Sequence, residues 1–387
     1  MKAGRKVVVL GVGLHPFGRF PELGLPELAR PAVAVALDDA GVQWKDVQAA
    51  YFGHVYYQGM SLGEVTLRSI GLSGIPVINV ENACSSGSTA FWQAYWGIAS
   101  GVFDLALAFG AEKVPRGPVT VTSDDDPERS TGADHMMAAY ALKAQRYIHQ
   151  HSASLESLAE VAVKAHDNAI LNPNSHYKKA FTVAEVLESR PIADPLTLYQ
   201  CCPTSEGAAA AILCAEEEAS RLVGNSGRSV GIEAAVLASG TFSPQGSDHA
   251  ALNPYRAEFA ARQAYEMAGM GPEDMELVQV HDAATIGEIE HLESLGIVEE
   301  GEGWVATSAG RTRIKGDIPT NTDGGLLAMG HPFGASGIRM VHEIVTQIRG
   351  EATGRQVISP RTGGPPRVGI AHCSGAGDVT TVHILKR

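Results

Sequence analysis

Apolar and polar positions along this chain follow two rhythms, and the places where one gives way to the other outline its elements. Behind a few basic residues, Val7 to Gly13 is an uninterrupted apolar run, the pattern of a strand buried on both faces. From Ala32 a helical pattern runs to Ala40-Gly41, a short polar turn follows through Lys45-Asp46, and Val47 to Val55 is apolar again. The same order returns from Arg262 to Asp282, with a helix ending at Ala268-Gly269, the turn Pro272-Glu273-Asp274 and the apolar run Met275 to Val280. A glycine just past each helix suits the left-handed residue that ends it, and the acids suit the turn.

Each copy is followed by a second matching event, in which a β-rich or Gly-rich approach meets a Ser-Gly pair and an amphipathic helix. In the first half this is Cys84 to Ser100; in the second it is Gly334-Ala-Ser-Gly337 leading into Ile338 to Arg349. Matching points lie about 228 to 250 residues apart, too far for a solenoid, so the pattern predicts duplication of one α/β unit. Each half is then a mixed, mostly parallel sheet with helices on both sides, and the halves share a helical layer. Pro118 to Leu198 breaks the pattern: it is polar, carries the charged loop Ser123 to Arg129, and predicts helices at Met136 to His149 and Leu155 to Asn172. Residues 1–117 with 199–252 read as the first half, 118–198 as an inserted loop domain or lid, and 253–387 as the second half.

Composition narrows the class. The 387 residues are 44% hydrophobic and 19% charged, which suits a globular enzyme of two or three packed units. A net charge of −13 and the lack of any basic run longer than Lys178-Lys179 argue against a nucleic-acid partner. No window reaches the ~20 apolar residues of a membrane span. The apolar run near the N-terminus is too short for a signal peptide, and the C-terminal His383 to Arg387 matches no targeting address. Five cysteines, with Cys201 and Cys202 adjacent and no zinc-ligand spacing, read as reduced thiols in a cytoplasmic protein with no metal centre. A dinucleotide site at Gly11-Val-Gly13 is set aside because Pro16 stands where a third glycine belongs; these glycines read as letting the first strand turn tightly.

Cys84, in Asn82-Ala-Cys-Ser-Ser-Gly87, falls where a β-rich run hands over to a helical one. Unpaired N–H groups and the positive end of a helix dipole converge there, so the thiol is expected to be an activated nucleophile below its ordinary pKa of ~8.5. The same N–H groups suit an oxyanion. Three further residues close apolar, strand-like runs: His281 in Val280-His-Asp282, His331 in Gly330-His-Pro-Phe-Gly-Ala-Ser-Gly337, and Cys373 in Ala371-His-Cys-Ser-Gly375. Each alone is as readily a core histidine, a stiffener of a Gly-rich turn or a packing thiol. Together, two imidazoles and two thiols form a kit for acyl transfer through a thioester.

These motifs, with Gln200-Cys-Cys-Pro-Thr-Ser-Glu-Gly207 and Asn321-Thr-Asp-Gly-Gly325, are similar to those of the thiolase superfamily, in particular the sterol-carrier-protein-x type and its bacterial relatives. The likeness spans essentially the whole chain. It implies the thiolase fold, two duplicated α/β halves in five layers with an inserted loop domain. It also implies that Cys84 attacks the keto carbon of a 3-oxoacyl-CoA, that His331 takes its proton, and that Cys373 protonates the departing enolate and activates the incoming coenzyme A. By the same likeness His281 with a water forms one oxyanion hole, and the N–H groups of Cys84 and Gly375 form the other. The likeness implies no permanently bound cofactor, coenzyme A as a co-substrate, and a homodimer.

Departures from the family bear on the substrate. Ala283-Ala284-Thr285 stand where relatives carry bulkier residues, which is expected to free room for a branched, ring-bearing or aromatic acyl group in a degradation pathway. Leu327-Ala-Met329 replaces a stretch that usually holds lysine. The chain also resembles thiolases of steroid side-chain or anaerobic aromatic breakdown, including benzoylsuccinyl-CoA thiolase, and the likeness to several of these implies a small zinc-ribbon and OB-fold accessory subunit. Arg129, Lys143, Arg146, Lys178 and Lys179 are the candidates for holding coenzyme A, although a solvated charged face explains them equally. Two other readings stay open. One is a retro-aldolase acting on a 3-hydroxyacyl-CoA through tyrosines, for which Tyr199 and Tyr255 are the residues to watch; the other is a non-catalytic lipid or acyl-CoA carrier.

Overall fold

The computed structural model describes residues 4–57, 59–120, 135–224, 227–240, 255–376 and 379–387. Strands β1 (Val7–Gly18), β2 (Ala49–Gly53), β3 (Val77–Val80) and β4 (Leu105–Lys113) precede a short hairpin, β5 (Pro191–Ala193) and β6 (Leu196–Thr197), within the insertion. Then come β7 (Glu206–Ala215), β8 (Val230–Ser239), β9 (Leu277–Gln279), β10 (Val368–Gly375) and β11 (Val379–Lys386). Apart from the hairpin, they run in the order β3-β2-β4-β7-β1-β8-β11-β10-β9.

The duplication is visible in the pairing. In the first half, β2 is parallel to β3 and β4, and β7 is antiparallel to both β4 and β1. In the second, β10 is parallel to β9 and antiparallel to β11, which is antiparallel to β8. A parallel bridge between Val278 and Thr320 stands where β3 stands in the first half. The two half-sheets are joined by strand pairing where β1 touches the start of β8, at Val8–Gly231 and Val9–Val230. β8, which the sequence reading assigned to the first half, is bonded along its whole length to β11. The halves therefore divide before residue 230 rather than at 252, because hydrogen-bond partners and not chain order decide which sheet a strand joins.

Two central helices, Ser86–Ala99 and Phe333–Arg349, lie between the half-sheets. Helix Leu25–Ala40 covers the outer face of the first sheet, and helices Tyr255–Ala268 and Thr285–Ser294 cover that of the second, which completes five layers. Strands sandwiched this way have no wet face. Val7 and Val9 of β1 face the centre while Val8 and Leu10 face outward, and all of these are buried. The predicted stops hold, with Gly41 at φ +69° and Gly269 at φ +64° just past their helices.

Gly11 and Gly13 do not turn the strand. They sit inside β1, where an added Cβ would lie 2.3 Å from the Ala36 oxygen and 2.2 Å from the Ala32 oxygen, so they let helix Leu25–Ala40 press onto the sheet. Glycines also set the central contact: a Cβ on Gly87 would lie 2.4 Å, and one on Gly110 1.8 Å, from the Gly334 oxygen. The insertion folds as helices Met136–His151 and Leu155–Ile170, and a buried ion pair from Lys164 to Glu288 ties it to the second half. Its charged loop Ser123 to Arg129 lies outside the described residues. No helix among the described residues is long and apolar enough to cross a membrane.

Candidate active site

Cys84 lies in a tight turn between β3 and the first central helix. Ala83 before it takes the left-handed conformation, φ +48°, which is uncommon for a residue with a side chain and costs of order 1–3 kcal/mol. Hydrogen bonds across the molecule stabilise the turn. Ser85 Oγ donates to the Cys373 carbonyl at 2.9 Å, and the Cys373 thiol donates to the Cys84 carbonyl at 3.3 Å. A Cβ on Gly375 would lie 2.4 Å from the Asn82 oxygen, so only glycine lets the end of β10 come this close. The loop after β2 is fixed by the buried carboxylate of Glu112, which accepts the N–H groups of Val55, Tyr56, Tyr57 and Lys113.

The two imidazoles arrive from the second half. One ring nitrogen each of His281 and His331 and the Cys84 sulfur lie within 4.8 Å of one another, and the two rings stand edge to face with centroids 5.3 Å apart. His331 does not close a strand as expected; it follows a single wide helical turn, Gly325–Met329, a geometry often found at functional sites. Ser336 Oγ donates to the Pro332 carbonyl at 3.0 Å and therefore accepts the Nδ1–H of His331 at 2.8 Å, which leaves Nε2 as the lone-pair nitrogen. Asn321, itself at φ +50°, accepts the N–H of Val280 and donates to Glu288, the partner of Lys164. The strand end carrying His281 is thus held from the insertion. A sulfur and two imidazoles are also a soft-metal donor set, brought together from segments whose sequence spacing gives no sign of it.

Burial decides the charge state. Cys84, Cys373, His281 and His331 are each 2% exposed or less. Burial pushes the Cys84 thiol far up, with Cys373 adding to the effect, against backbone N–H groups of Cys84 and Ala376 that pull the other way. Cys373 rises to about 11 for the same leading cause, offset by the hydroxyls of Ser85 and Ser88. Burial also drives His281 down to about 3 and His331 well below its ordinary value. The resting thiol does not lie below its ordinary value, as the sequence led one to expect it would: losing water outweighs the backbone N–H groups that face the sulfur. The site rests as thiol and neutral imidazole, with the Nε2 atoms of both histidines lacking a hydrogen-bond partner.

A cavity of about 680 Å³ opens beside this cluster. Phe333 and Met136 line it and belong to the apolar cluster that contains Cys84. Ala283 and Ala284 do not line it: both are fully buried, with the Cys202 N–H bonded to the Ala283 carbonyl and Cys201 bridged to Ala284. The room expected there is filled by the chain at Cys201-Cys202. None of the four described residues among the expected coenzyme A contacts lines the cavity either. Lys143 and Arg146 each reach Glu290 at 3.3 Å, Lys178 donates to the Asn172 carbonyl, and Lys179 lies 3.8 Å from Glu185; Arg129 is outside the described residues. All five cysteines are free thiols.

Several residues at the site carried no signal in the sequence. Tyr140, on the insertion helix, has its hydroxyl 3.5 Å from His281 Nδ1. Of the two tyrosines singled out, Tyr199 stacks on Phe181 at 4.0 Å within the insertion, and the side chain of Tyr255 is not described. Ser336 could have been found, since it stands five residues after His331 at the start of a helix, where a hydroxyl can reach back. Glu112 and Tyr140 could not.

Residues 7–217 match the family model described as thiolase, N-terminal domain, and residues 238–387 match the one described as thiolase C-terminal domain-like. The chain is 37% identical over 394 residues to an acetyl-CoA acetyltransferase of Methanothermobacter thermautotrophicus, covering 99% of this chain and 100% of that one. It is 36% identical over 383 residues to the benzoylsuccinyl-CoA thiolase subunit BbsB of Thauera aromatica, covering 97% and 96%. Among solved structures, the Ltp2-ChsH2(DUF35) aldolase superposes with a TM-score of 0.85 at 24% identity, over 100% of this chain and 98% of that one.

Proposed function

The chain belongs to the thiolase superfamily and is an acyltransferase of the thiolase type, and on that premise we propose that Cys84, His331, Cys373 and His281 cleave a bulky 3-oxoacyl-CoA with coenzyme A. The observation that carries the proposal is the meeting of the Cys84 sulfur with both imidazoles within 4.8 Å, while the Cys373 thiol bonds the Cys84 carbonyl.

In the first half-reaction the sulfur of Cys84 attacks the 3-keto carbon as His331 takes the thiol proton. The C2–C3 bond breaks, its electron pair leaves as the thioester enolate, and Cys373 protonates C2, which releases a shortened CoA ester. The acyl group stays on Cys84. In the second, Cys373 takes the proton of the coenzyme A thiol, the coenzyme sulfur attacks the acyl carbonyl, and Cys84 recovers its proton from His331. The N–H groups of Cys84 and Gly375 suit the oxygen on the attacked carbon, and His281 with a water suits the enolate oxygen; each such donor is worth ~3 kcal/mol of barrier. Both thiols are held protonated at rest, so a thiolate forms only as His331 accepts the proton beside bound substrate. Reactivity toward stray electrophiles is thereby suppressed.

The cavity supports a substrate larger than acetoacetyl-CoA. The thiol pair favours thiolysis over a retro-aldol split, which needs no covalent acyl group. Pairing with a second copy and with a small accessory subunit completes the proposal; similar proteins carry "subunit" and a DUF35 partner in their names. Incubation with 3-oxoacyl-CoAs in the absence of coenzyme A, followed by peptide mass spectrometry, is the test. An acyl adduct on Cys84 that coenzyme A discharges is expected. Carbon–carbon cleavage persisting in a Cys84→Ala variant would sink the covalent route.

A further inference from the structure

We propose that the acyl group this enzyme takes carries a carboxylate at its far end, bound by Arg116 and Arg190 at the edge of the cavity beside Cys84. The inference rests on the thiolase reading for the position of the thioester, and it concerns only the remote end of the substrate.

The cavity lies one layer of side chains from the chemistry. Phe333, whose ring lies 4.4 Å from that of His331, and Met136 form its inner wall, and Cys202 lines it within electrostatic reach of Cys84. Met137, Ile192 and Leu198 continue an apolar wall outward. Its charges are one-sided. The chain has 43 acidic against 30 basic residues, yet the described lining holds Arg19, Arg116, Arg190, His135 and His176 and no carboxylate. Arg19 is already committed, donating to the Val114 carbonyl at 2.7 Å and to Glu206 at 3.3 Å. The exposed side chains of Arg116 and Arg190 make no ion pair or hydrogen bond among the described residues.

The edge is built rather than loose. Thr120 pairs with His135 and the Met136 N–H donates to the Val119 carbonyl at 3.1 Å, joining the segment after Arg116 to the insertion helix. The Leu198 N–H donates to the Arg190 carbonyl at 2.9 Å, which anchors the other side. An apolar throat that ends in two guanidinium groups with no partner among the described residues complements a chain that is apolar next to the thioester and anionic at its end. Coenzyme A phosphates offer the same chemistry from a different source, so the experiment holds the coenzyme constant.

Calorimetric binding to the Cys84→Ala protein, which cannot be acylated, compares ω-carboxylated acyl-CoAs with uncharged acyl-CoAs of the same chain lengths. The carboxylated members are expected to bind at least about tenfold tighter, and Arg116→Gln with Arg190→Gln should bring the ratio to within about twofold. Equal affinity for both series, or an equal loss for both in the double variant, overturns the proposal; the second result assigns the arginines to the coenzyme. If the double variant does not fold, raising the salt concentration on the Cys84→Ala protein decides the matter, because a carboxylate-driven preference shrinks with ionic strength and a shape-driven one does not. Thiolysis by the unmutated protein is measured separately, so absent turnover with an intact binding preference counts against the thiolase reading alone.

Discussion

Replacing Gly110 with alanine tests whether backbone contact between the halves sets the distance from thiol to imidazole. The new methyl would lie 1.8 Å from the Gly334 oxygen and 2.6 Å from its carbonyl carbon, where ordinary contact begins at 3.4 Å. Gly334 would have to retreat by roughly 1.5 Å. It has nowhere to go, since a Cβ of its own would already lie 2.4 Å from the Gly53 oxygen and 2.8 Å from the His54 Cα. Gly334 stands three residues after His331 and two before Ser336, which holds the His331 ring. Overpacking of this kind costs about 1–3 kcal/mol of stability, and a displacement near 1 Å at reacting groups costs about 100-fold in rate. Rapid-quench measurement of Cys84 acylation, beside thermal unfolding, reads both. Gly87→Ala, whose methyl would lie 2.4 Å from the same oxygen, serves as the graded comparison and should fall between wild type and Gly110→Ala. A wild-type acylation rate in Gly110→Ala, or the reverse order of the two variants, would refute the reasoning.

Ser336→Ala should cut the acylation rate by about 10–100-fold while leaving KM nearly unchanged, because it strands the Nδ1–H of His331 in a dry site; Ser336→Thr should restore most of the rate. A pure rise in KM would contradict a positioning role. The Cys84 thiol, pushed up by burial, should react with iodoacetamide at pH 8 far more slowly than a free cysteine, and rapid labelling would show that the sulfur is already ionised. His281 and His372 are driven down to about 3 and His166, His342 and His383 to about 4, all by burial. These rings stay neutral in the folded chain but take up protons near pH 6.5 when it unfolds. Stability is therefore full above that value and falls as pH drops toward the folded values, by up to about 1.4 kcal/mol per unit for each ring. Urea unfolding midpoints that do not change between pH 7.5 and 5 would exclude this.

Local chemistry was legible from residues alone. A glycine past a helix, acids in a turn and a run of valines act over a few neighbours, and so the duplicated unit and the ends at Gly41 and Gly269 could be read directly. Cys84, His331 and Cys373 were legible for a related reason: each stands in a short Gly- or Ser-rich junction whose composition a plain core segment does not need, while His281 stood out only as a polar residue closing the apolar run Met275 to Val280. Three expectations failed for one shared cause. The charge state of Cys84, the room at Ala283-Ala284 and the task of Gly11 and Gly13 each depend on what arrives from elsewhere in the chain.

By itself, then, the sequence determined the repeat, the order of elements and which side chains meet at the candidate site, since those follow from motifs formed by near neighbours. Tertiary structure alone decided that β8 joins the second sheet, that Tyr140 and Glu112 attend the site, that both thiols rest protonated, and that Arg116 and Arg190 border one cavity with no carboxylate in its described lining. Desolvation and cavity shape sum over atoms from many distant segments, and no window of the chain contains that sum.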